Sequence, residues 1–193
     1  MDKINILGVN VTNISRTQVL NKIQEFLNSG RQYFIVTPNP EIILEAATKD
    51  EELHYILNHA DLALADGIAL KFAAWFYGKN LKRTTGADLA VEVLKLAEEK
   101  RYKVAVFSWI KGLSGAEDIK LVISKKFPGL PVYVQAIGRD GAVDFTAVNK
   151  FAPDIVFCAL GAPYQEKFIY NNLAKMPSVK IALGVGGSFD FLT

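Results

Sequence analysis

The sequence predicts an α/β fold: a Rossmann-like, mainly parallel sheet flanked by helices, forming a single domain over 1–193. Three observations predict it. Short apolar runs alternate with longer segments of helical period, the signature of βαβ units. Half of the 193 residues are hydrophobic and 22% are charged, which suits one packed core and argues against disorder. No internal repeat, low-complexity tract or linker interrupts the alternation.

The elements follow in order. Ile4–Leu7 and Val9–Val11 read as short strands around Gly8. Ser15 reads as a helix N-cap, with Gln18 completing a capping box. Val19, Leu20, Ile23, Phe26 and Leu27 share one face of that helix, and Gly30 closes it. Tyr33–Val36 is a strand stopped by Thr37-Pro38-Asn39-Pro40. One helical pattern covers Glu41 to about His59, and Leu62–Ala65 is a buried strand ending at Asp66-Gly67. Helices over Ile68–Tyr77 and Asp88–Lys100 precede a strand at Val104–Trp109. Gly112–Gly115 opens a helix that ends near Phe127-Pro128-Gly129. The strand Val132–Ile137 leads into Gly138-Arg139-Asp140-Gly141. A helix over Asp144–Phe151, a strand at Ile155–Leu160, a helix from Pro163 to about Lys175 and a strand at Ile181–Val185 complete the pattern.

Composition narrows the function. The net charge is +2, and the 22 basic residues are spread along the chain, so nucleic acid is not an expected partner. The single cysteine, Cys158, excludes an internal disulfide and reads as a small buried hydrophobe. The N-terminus lacks the pattern of a signal peptide, and no segment reaches the roughly 18–20 apolar residues of a membrane span. The expectation is a cytoplasmic chain whose membrane contact is peripheral.

Open parallel sheets bind ligands beyond the carboxyl ends of their strands. Polar or glycine-rich residues recur there: Thr37 and Asn39, Asp66, Ser108, Gly138, Gly161 and Pro163, and Gly184, Gly186, Gly187 and Asp190. Asp66 ends a buried strand, where partial burial raises a carboxylate's proton affinity and suits it to act as a base. An Asp-Gly turn explains the same pair. Pro38 and Pro40 stiffen the loop that carries Thr37 and Asn39. Asn39 also reads as a helix cap, with Pro40 at the first helical position. Gln165 has no evident structural need near a helix start, where it can donate to a phosphate or a sugar hydroxyl.

Other chemistries lack their motifs. The Gly184–Asp190 stretch has neither dinucleotide spacing nor an ordinary helix after it, and no P-loop triplet occurs. His54 and His59 sit poorly for a shared ion and read as surface residues. The Asp-x-Asp clamp of many sugar-nucleotide enzymes is absent, so neither metal nor cofactor is expected. Helix N-termini or a cation would then neutralise a leaving diphosphate. Arg83, before Thr84-Thr85-Gly86, is a candidate, though a solvated surface arginine fits it equally.

Five segments together resemble the WecG/TagA/CpsF family of bacterial glycosyltransferases. They are Thr37-Pro38-Asn39-Pro40-Glu41, Ala65-Asp66-Gly67, Arg83-Thr84-Thr85-Gly86-Ala87-Asp88-Leu89, Gly161-Ala162-Pro163-Tyr164-Gln165-Glu166 and Gly184-Val185-Gly186-Gly187-Ser188-Phe189-Asp190-Phe191-Leu192. The resemblance implies inverting, metal-independent transfer from a UDP-activated N-acetylmannosamine-type sugar. The implied acceptor is N-acetylglucosamine on undecaprenyl diphosphate, and the product primes wall teichoic acid or related polymers. Similarity to the teichoic-acid branch implies UDP-N-acetylmannosamine and a β-1,4 linkage. N-acetylmannosaminuronic acid is the alternative donor sugar, whose carboxylate calls for a cationic partner. Carried onto this chain, the family's base falls on Asp66. Thr37 and Gln165 position donor or acceptor, and Asn39, Arg83, Thr85, Gly86 and the strand-end glycines shape the pocket.

Ser108-Trp109 departs from the glycine pair of many relatives. The chain stops at Thr193 where family members continue with a basic segment, which implies a truncated core lacking the tail that touches the inner face of the membrane. A homo-oligomer is also implied, and Ile42, Ile43 and Leu44 serve either an interface or ordinary helix burial. Two rival readings are an atypical NAD-dependent nucleotide-sugar enzyme, disfavoured by the absence of Gly-x-Gly-x-x-Gly, and a non-enzymatic nucleotide-binding module.

Overall fold

A computed structural model describes residues 1–110, 112–138 and 141–190. Arg139 and Asp140 of the Gly138–Gly141 segment, and Phe191 and Leu192 of the last motif, lie outside the described residues. A hairpin of β1 (Lys3–Ile6) and β2 (Val9–Thr12) precedes α1 (Arg16–Leu27), β3 (Tyr33–Val36), α2 (Pro40–Thr48), α3 (Glu51–His59) and β4 (Leu62–Ala63). Next come α4 (Ile68–Phe76), α5 (Gly86–Lys100), β5 (Val104–Trp109), α6 (Ala116–Lys126) and β6 (Val132–Ile137). The chain then forms α7 (Phe145–Phe151), β7 (Ile155–Ala159), α8 (Tyr164–Asn172) and β8 (Ile181–Gly184), and a 3-10 turn over Gly186–Phe189 follows.

Six strands form a parallel sheet in the order β4-β3-β8-β7-β5-β6, as the alternating pattern predicts. Strand alternation splits the core into two layers. Phe34, Val36, Phe107 and Cys158 pack with Ile43, Leu53, Ile56 and Ile169 of α2, α3 and α8. Ile35, Val104, Val106 and Phe157 pack on the opposite face with Ile23, Leu94 and Ile123 of α1, α5 and α6. The connection after β5 runs outward to β6, whereas that after β7 runs the other way to β8. The topological switch therefore falls between β5 and β7, where a crevice opens at the carboxyl ends.

Local signals act as the sequence indicates at two caps. The Ser15 side chain accepts from the Gln18 amide and the Gln18 side chain from the Ser15 amide, a complete capping box. Asn39 Oδ1 accepts from the Ile42 amide at 2.9 Å, with Pro40 opening α2.

The single helix expected over Glu41–His59 is two helices. Asp50 starts the second: its carboxylate accepts from the Leu53 amide at 2.9 Å and pairs with Lys167 Nζ at 2.8 Å. His59 is exposed and His54 is half-buried at the surface, its Nε2 lying 3.1 Å from the Gly8 carbonyl. Among Ile42, Ile43 and Leu44, Ile43 is buried in the core and Leu44 is exposed. No helix among the described residues is long and apolar enough to cross a membrane.

Candidate active site

The carboxyl ends of β3, β4 and β8 converge on the start of α5. Asp66 is fixed through its backbone, its amide donating to the Pro38 carbonyl at 3.0 Å. Gly67 has φ +105°, a left-handed conformation that favours glycine, and an added Cβ would lie 3.3 Å from Pro40 Cδ. This turn leaves the half-buried Asp66 carboxylate facing the first amide of α5, and Oδ2 accepts from Gly86 N–H at 2.9 Å. Asp66 Oδ1 makes no hydrogen bond among the described residues.

Thr37 is buried at the end of β3, and its hydroxyl donates to the Gly184 carbonyl at 2.9 Å, tying β3 to β8 beyond their last ladder bond. Gly86 sits between two hydroxyls: a Cβ there would lie 3.2 Å from Thr37 Oγ1 and 3.3 Å from Ser188 Oγ. Ser188 is itself buried and donates to the Val185 carbonyl. Asp66, Thr37, Gly86 and Ser188 thus form one polar notch at the positive end of α5.

Beside it, at the topological switch, lies a cleft of about 220 Å³ lined by Ser108, Trp109, Leu160, Gly161, Gly186 and Asp190, among others. Gly161 and Gly186 both have positive φ, +70° and +51°, and turn the chain around the cleft. Trp109 Nε1 donates to the Leu160 carbonyl at 2.6 Å and closes the β5–β7 side, which gives the Ser108-Trp109 departure a structural role. The Ser108 hydroxyl is buried and has no hydrogen-bond partner among the described residues. A buried polar group left unpaired inside a cleft is available to a ligand.

Gln165 joins the two halves. It is buried; its Oε1 accepts from Gly186 N–H at 2.8 Å, and its Nε2 donates to Glu166 Oε1 at 2.8 Å. The structural need that local sequence does not reveal is therefore present: Gln165 holds the glycine turn that lines the cleft. Gly184 makes room for the pair, since a Cβ there would lie 3.1 Å from Gln165 Nε2 and 3.3 Å from Glu166 Oε1.

Glu166 is a site neighbour visible in the sequence only as the last residue of the Gly161–Glu166 motif. It is fully buried and Oε2 has no hydrogen-bond partner among the described residues. Burial pushes its carboxyl above the ordinary carboxylate range, against the lowering effect of the Gln165 hydrogen bond. Burial, and then the Glu166 charge, likewise pushes the Cys158 thiol well up, which leaves it unreactive.

Other sequence candidates stand apart. Asn39 is engaged as the α2 cap. Thr85 caps α5, accepting from the Asp88 amide at 3.1 Å and donating to Asp88 Oδ2 at 2.7 Å. Arg83 is exposed in a different cleft with Arg16, Lys71 and Lys82. Gly138 ends the edge strand β6 and does not line the switch-point cleft. Pro163 begins the turn into α8. Gly187 packs on Asp190, whose Oδ2 would lie 2.9 Å from an added Cβ. Among the described residues, no three His, Cys, Asp or Glu side chains are grouped to hold a metal ion.

Comparison with known proteins gives a consistent picture. The chain is 35% identical over 168 residues to an N-acetylglucosaminyldiphosphoundecaprenol N-acetyl-beta-D-mannosaminyltransferase of Bacillus spizizenii, covering 86% of this chain and 64% of the relative. The identically named protein of Bacillus subtilis is 33% identical over 162 residues, covering 81% and 60%. That of Staphylococcus aureus strain MRSA252 is 30% identical over 194 residues, covering 97% and 74%. The chain thus spans a little under two thirds of the length of the two Bacillus relatives. The family model described as Glycosyl transferase WecG/TagA/CpsF family matches residues 4–193. With its strand-end motifs gathered at one end of a parallel sheet, the chain belongs to the WecG/TagA/CpsF glycosyltransferase family.

Proposed function

We propose that this chain is the single-domain core of an inverting glycosyltransferase. It transfers N-acetylmannosamine from UDP-N-acetylmannosamine to the 4-hydroxyl of N-acetylglucosamine on undecaprenyl diphosphate, in wall teichoic acid linkage-unit synthesis. The enzyme works at the inner face of the cell membrane. The observation that carries this reading is the half-buried Asp66 carboxylate, held by Gly86 N–H through one oxygen with the other unengaged among the described residues.

Asp66 takes the proton from the acceptor hydroxyl as its oxygen attacks the anomeric carbon. The bond from that carbon to the diphosphate breaks, and UDP leaves with the electron pair. Inversion requires base and leaving group on opposite sides of the sugar, so the leaving diphosphate lies towards the switch-point cleft. There the Gly186-Gly187 turn and the Ser108 hydroxyl meet it. Backbone amides and hydroxyls fixed before the reaction stabilise developing charge without reorganising. Thr37 orients the sugar across the notch, and Gln165 acts as a positioning residue through Gly186.

The test is the product. Incubation with UDP-N-acetylmannosamine and a short-chain N-acetylglucosaminyl diphosphate lipid is expected to give a disaccharide whose new linkage is β by NMR coupling. An α linkage would remove the inverting mechanism, and no acceptor-dependent product would remove the donor and acceptor assignment.

A further inference from the structure

The segment between α4 and α5 carries cations and is pinned at three points. Leu81 is fully buried, the Lys82 amide donates to Asn13 Oδ1 at 2.9 Å, and the Thr84 amide donates to the Ala65 carbonyl at 3.1 Å. The backbone on both sides of Arg83 is therefore fixed, and Thr84 ties it to the residue before Asp66. Lys82 and Arg83 are exposed, and with Lys71 of α4 they line a cleft of about 460 Å³ that Ile68 and Thr85 also border.

The charge of this cleft is one-sided. Arg16 lines it too but is engaged by Glu92, and the acidic Asp88 is held by the Thr85 hydroxyl at 2.7 Å. Lys71, Lys82 and Arg83 form no salt bridge among the described residues. Three cations gathered around one carboxylate repel one another, and a bound anion relieves that cost. Phosphate oxygens suit the set, since arginine meets them through paired N–H bonds and lysine as a point charge.

Position says which anion. At the carboxyl end of the sheet the switch-point cleft lies at β5 and β7, and the notch lies at the ends of β8, β3 and β4. The Thr12–Leu64 bridge sets β2 beyond β4, and Arg16 follows β2. The basic cleft thus flanks the notch on the side away from the switch-point cleft, and among the described residues the two share no lining residue. Ile68 lies two residues after Asp66, and Thr85 precedes Gly86. Asp66 consequently stands between two places for phosphate. In the proposed reaction the donor's diphosphate meets the switch-point cleft, and the acceptor attacks from the opposite side of the donor sugar. The acceptor's own diphosphate sits on its anomeric carbon, across the ring from the 4-hydroxyl that faces Asp66, so it points away from the donor.

We infer that Lys71, Lys82 and Arg83 form a subsite for the acceptor's diphosphate, separate from the place that receives the leaving diphosphate. The identity of the ligand rests on the acceptor proposed above; the cationic cleft itself does not. Arg83, expected from the sequence to neutralise the leaving group, then serves the other substrate.

The experiment is titration calorimetry of the 193-residue chain with UDP saturating, so that the donor's place is filled. Three probes are used: a short-chain N-acetylglucosaminyl diphosphate lipid, the same chain joined to N-acetylglucosamine without the diphosphate, and inorganic diphosphate. The wild type is expected to bind the diphosphate lipid at least about tenfold more tightly than the uncharged glycoside, a preference that added salt weakens. Substituting Lys71→Gln, Lys82→Gln and Arg83→Gln together abolishes that preference and the binding of inorganic diphosphate, with UDP affinity and melting temperature unchanged. Arg83→Gln alone, at one exposed side chain, reduces the preference and decides the matter should the triple variant fail to fold. Equal binding of the two lipids by the wild type, or an undiminished preference in the folded variants, overturns the inference. Equal loss of affinity for UDP and for the diphosphate lipid also overturns it, because the cations then serve the donor. Transfer to the glycoside as efficient as to the diphosphate lipid removes the subsite and leaves the reaction standing. No transfer to either lipid removes the proposed reaction, while inorganic diphosphate still reads the cleft.

Discussion

The Asp66 carboxylate accepts the Gly86 amide at 2.9 Å, joining the end of a buried strand to the first residue of α5. One bond thereby fixes the orientation of the carboxylate and satisfies one of the amides a helix start leaves open. Two hydroxyl residues from other strand ends, Thr37 and Ser188, flank the same glycine.

Gly86→Ala tests that packing. Gly86 lacks the positive φ that would strain an alanine, so α5 itself tolerates the change. The new methyl would sit 3.2 Å from Thr37 Oγ1 and 3.3 Å from Ser188 Oγ, tighter than ordinary contact. Stability is expected to change by no more than about 1 kcal/mol. Transfer falls at least about tenfold because the notch is displaced. Steady-state kinetics beside a thermal melt measure both, and wild-type kinetics in the folded variant would show that Thr37 and Ser188 do not border the sugar.

Gln165→Ala removes both hydrogen bonds that hold the glycine turn and the Glu166 carboxyl. Leaving such buried partners unpaired costs about 1–3 kcal/mol. Urea denaturation is expected to report that loss, and activity falls through kcat as the Gly186 amide leaves its position. A variant as stable as the wild type would contradict the role drawn from the geometry.

Glu166 makes a pH prediction whose sign follows from its raised carboxyl. The folded state holds the proton to higher pH than the unfolded chain, whose ordinary value is 4.5. Between the two values the folded state binds more protons, so stability falls as pH rises from 4.5 through the raised folded value. Glu166→Gln keeps an oxygen to accept from Gln165 and carries no charge. It is expected to flatten this loss and to be the more stable form at neutral pH, with the difference vanishing towards acid. Urea midpoints at about pH 5 and about pH 8 for both proteins supply the check.

The sheet was legible because its signals are local. Apolar runs alternate with helical periods, and the Ser15 and Asn39 caps satisfy amides within three residues. The break at Asp50 was hidden because the helical pattern continues across it, while the partner that helps fix Asp50, Lys167, lies on α8. Gln165 was visible as unusual but not as structural, since Gly186 reaches it only once β7 and β8 are paired. Thr85 and Gly138 looked like site residues because strand ends and helix starts share composition. Only tertiary placement separates the cap and the edge strand from the cleft. The helix over Ile68–Tyr77 was legible too, but not that Phe72, Trp75 and Phe76 stand exposed on it.

Asp66→Asn is the most direct test of the central claim. The asparagine oxygen can still accept from Gly86 N–H, so the fold and the notch survive while the base is lost. UDP release from UDP-N-acetylmannosamine, dependent on the lipid-linked N-acetylglucosamine acceptor, is the quantity to measure in both proteins. The account predicts a fall in kcat of about 10²–10⁴-fold with an unchanged melting temperature. A folded Asp66→Asn protein releasing UDP at close to the wild-type rate would contradict it, and the base would have to be sought elsewhere.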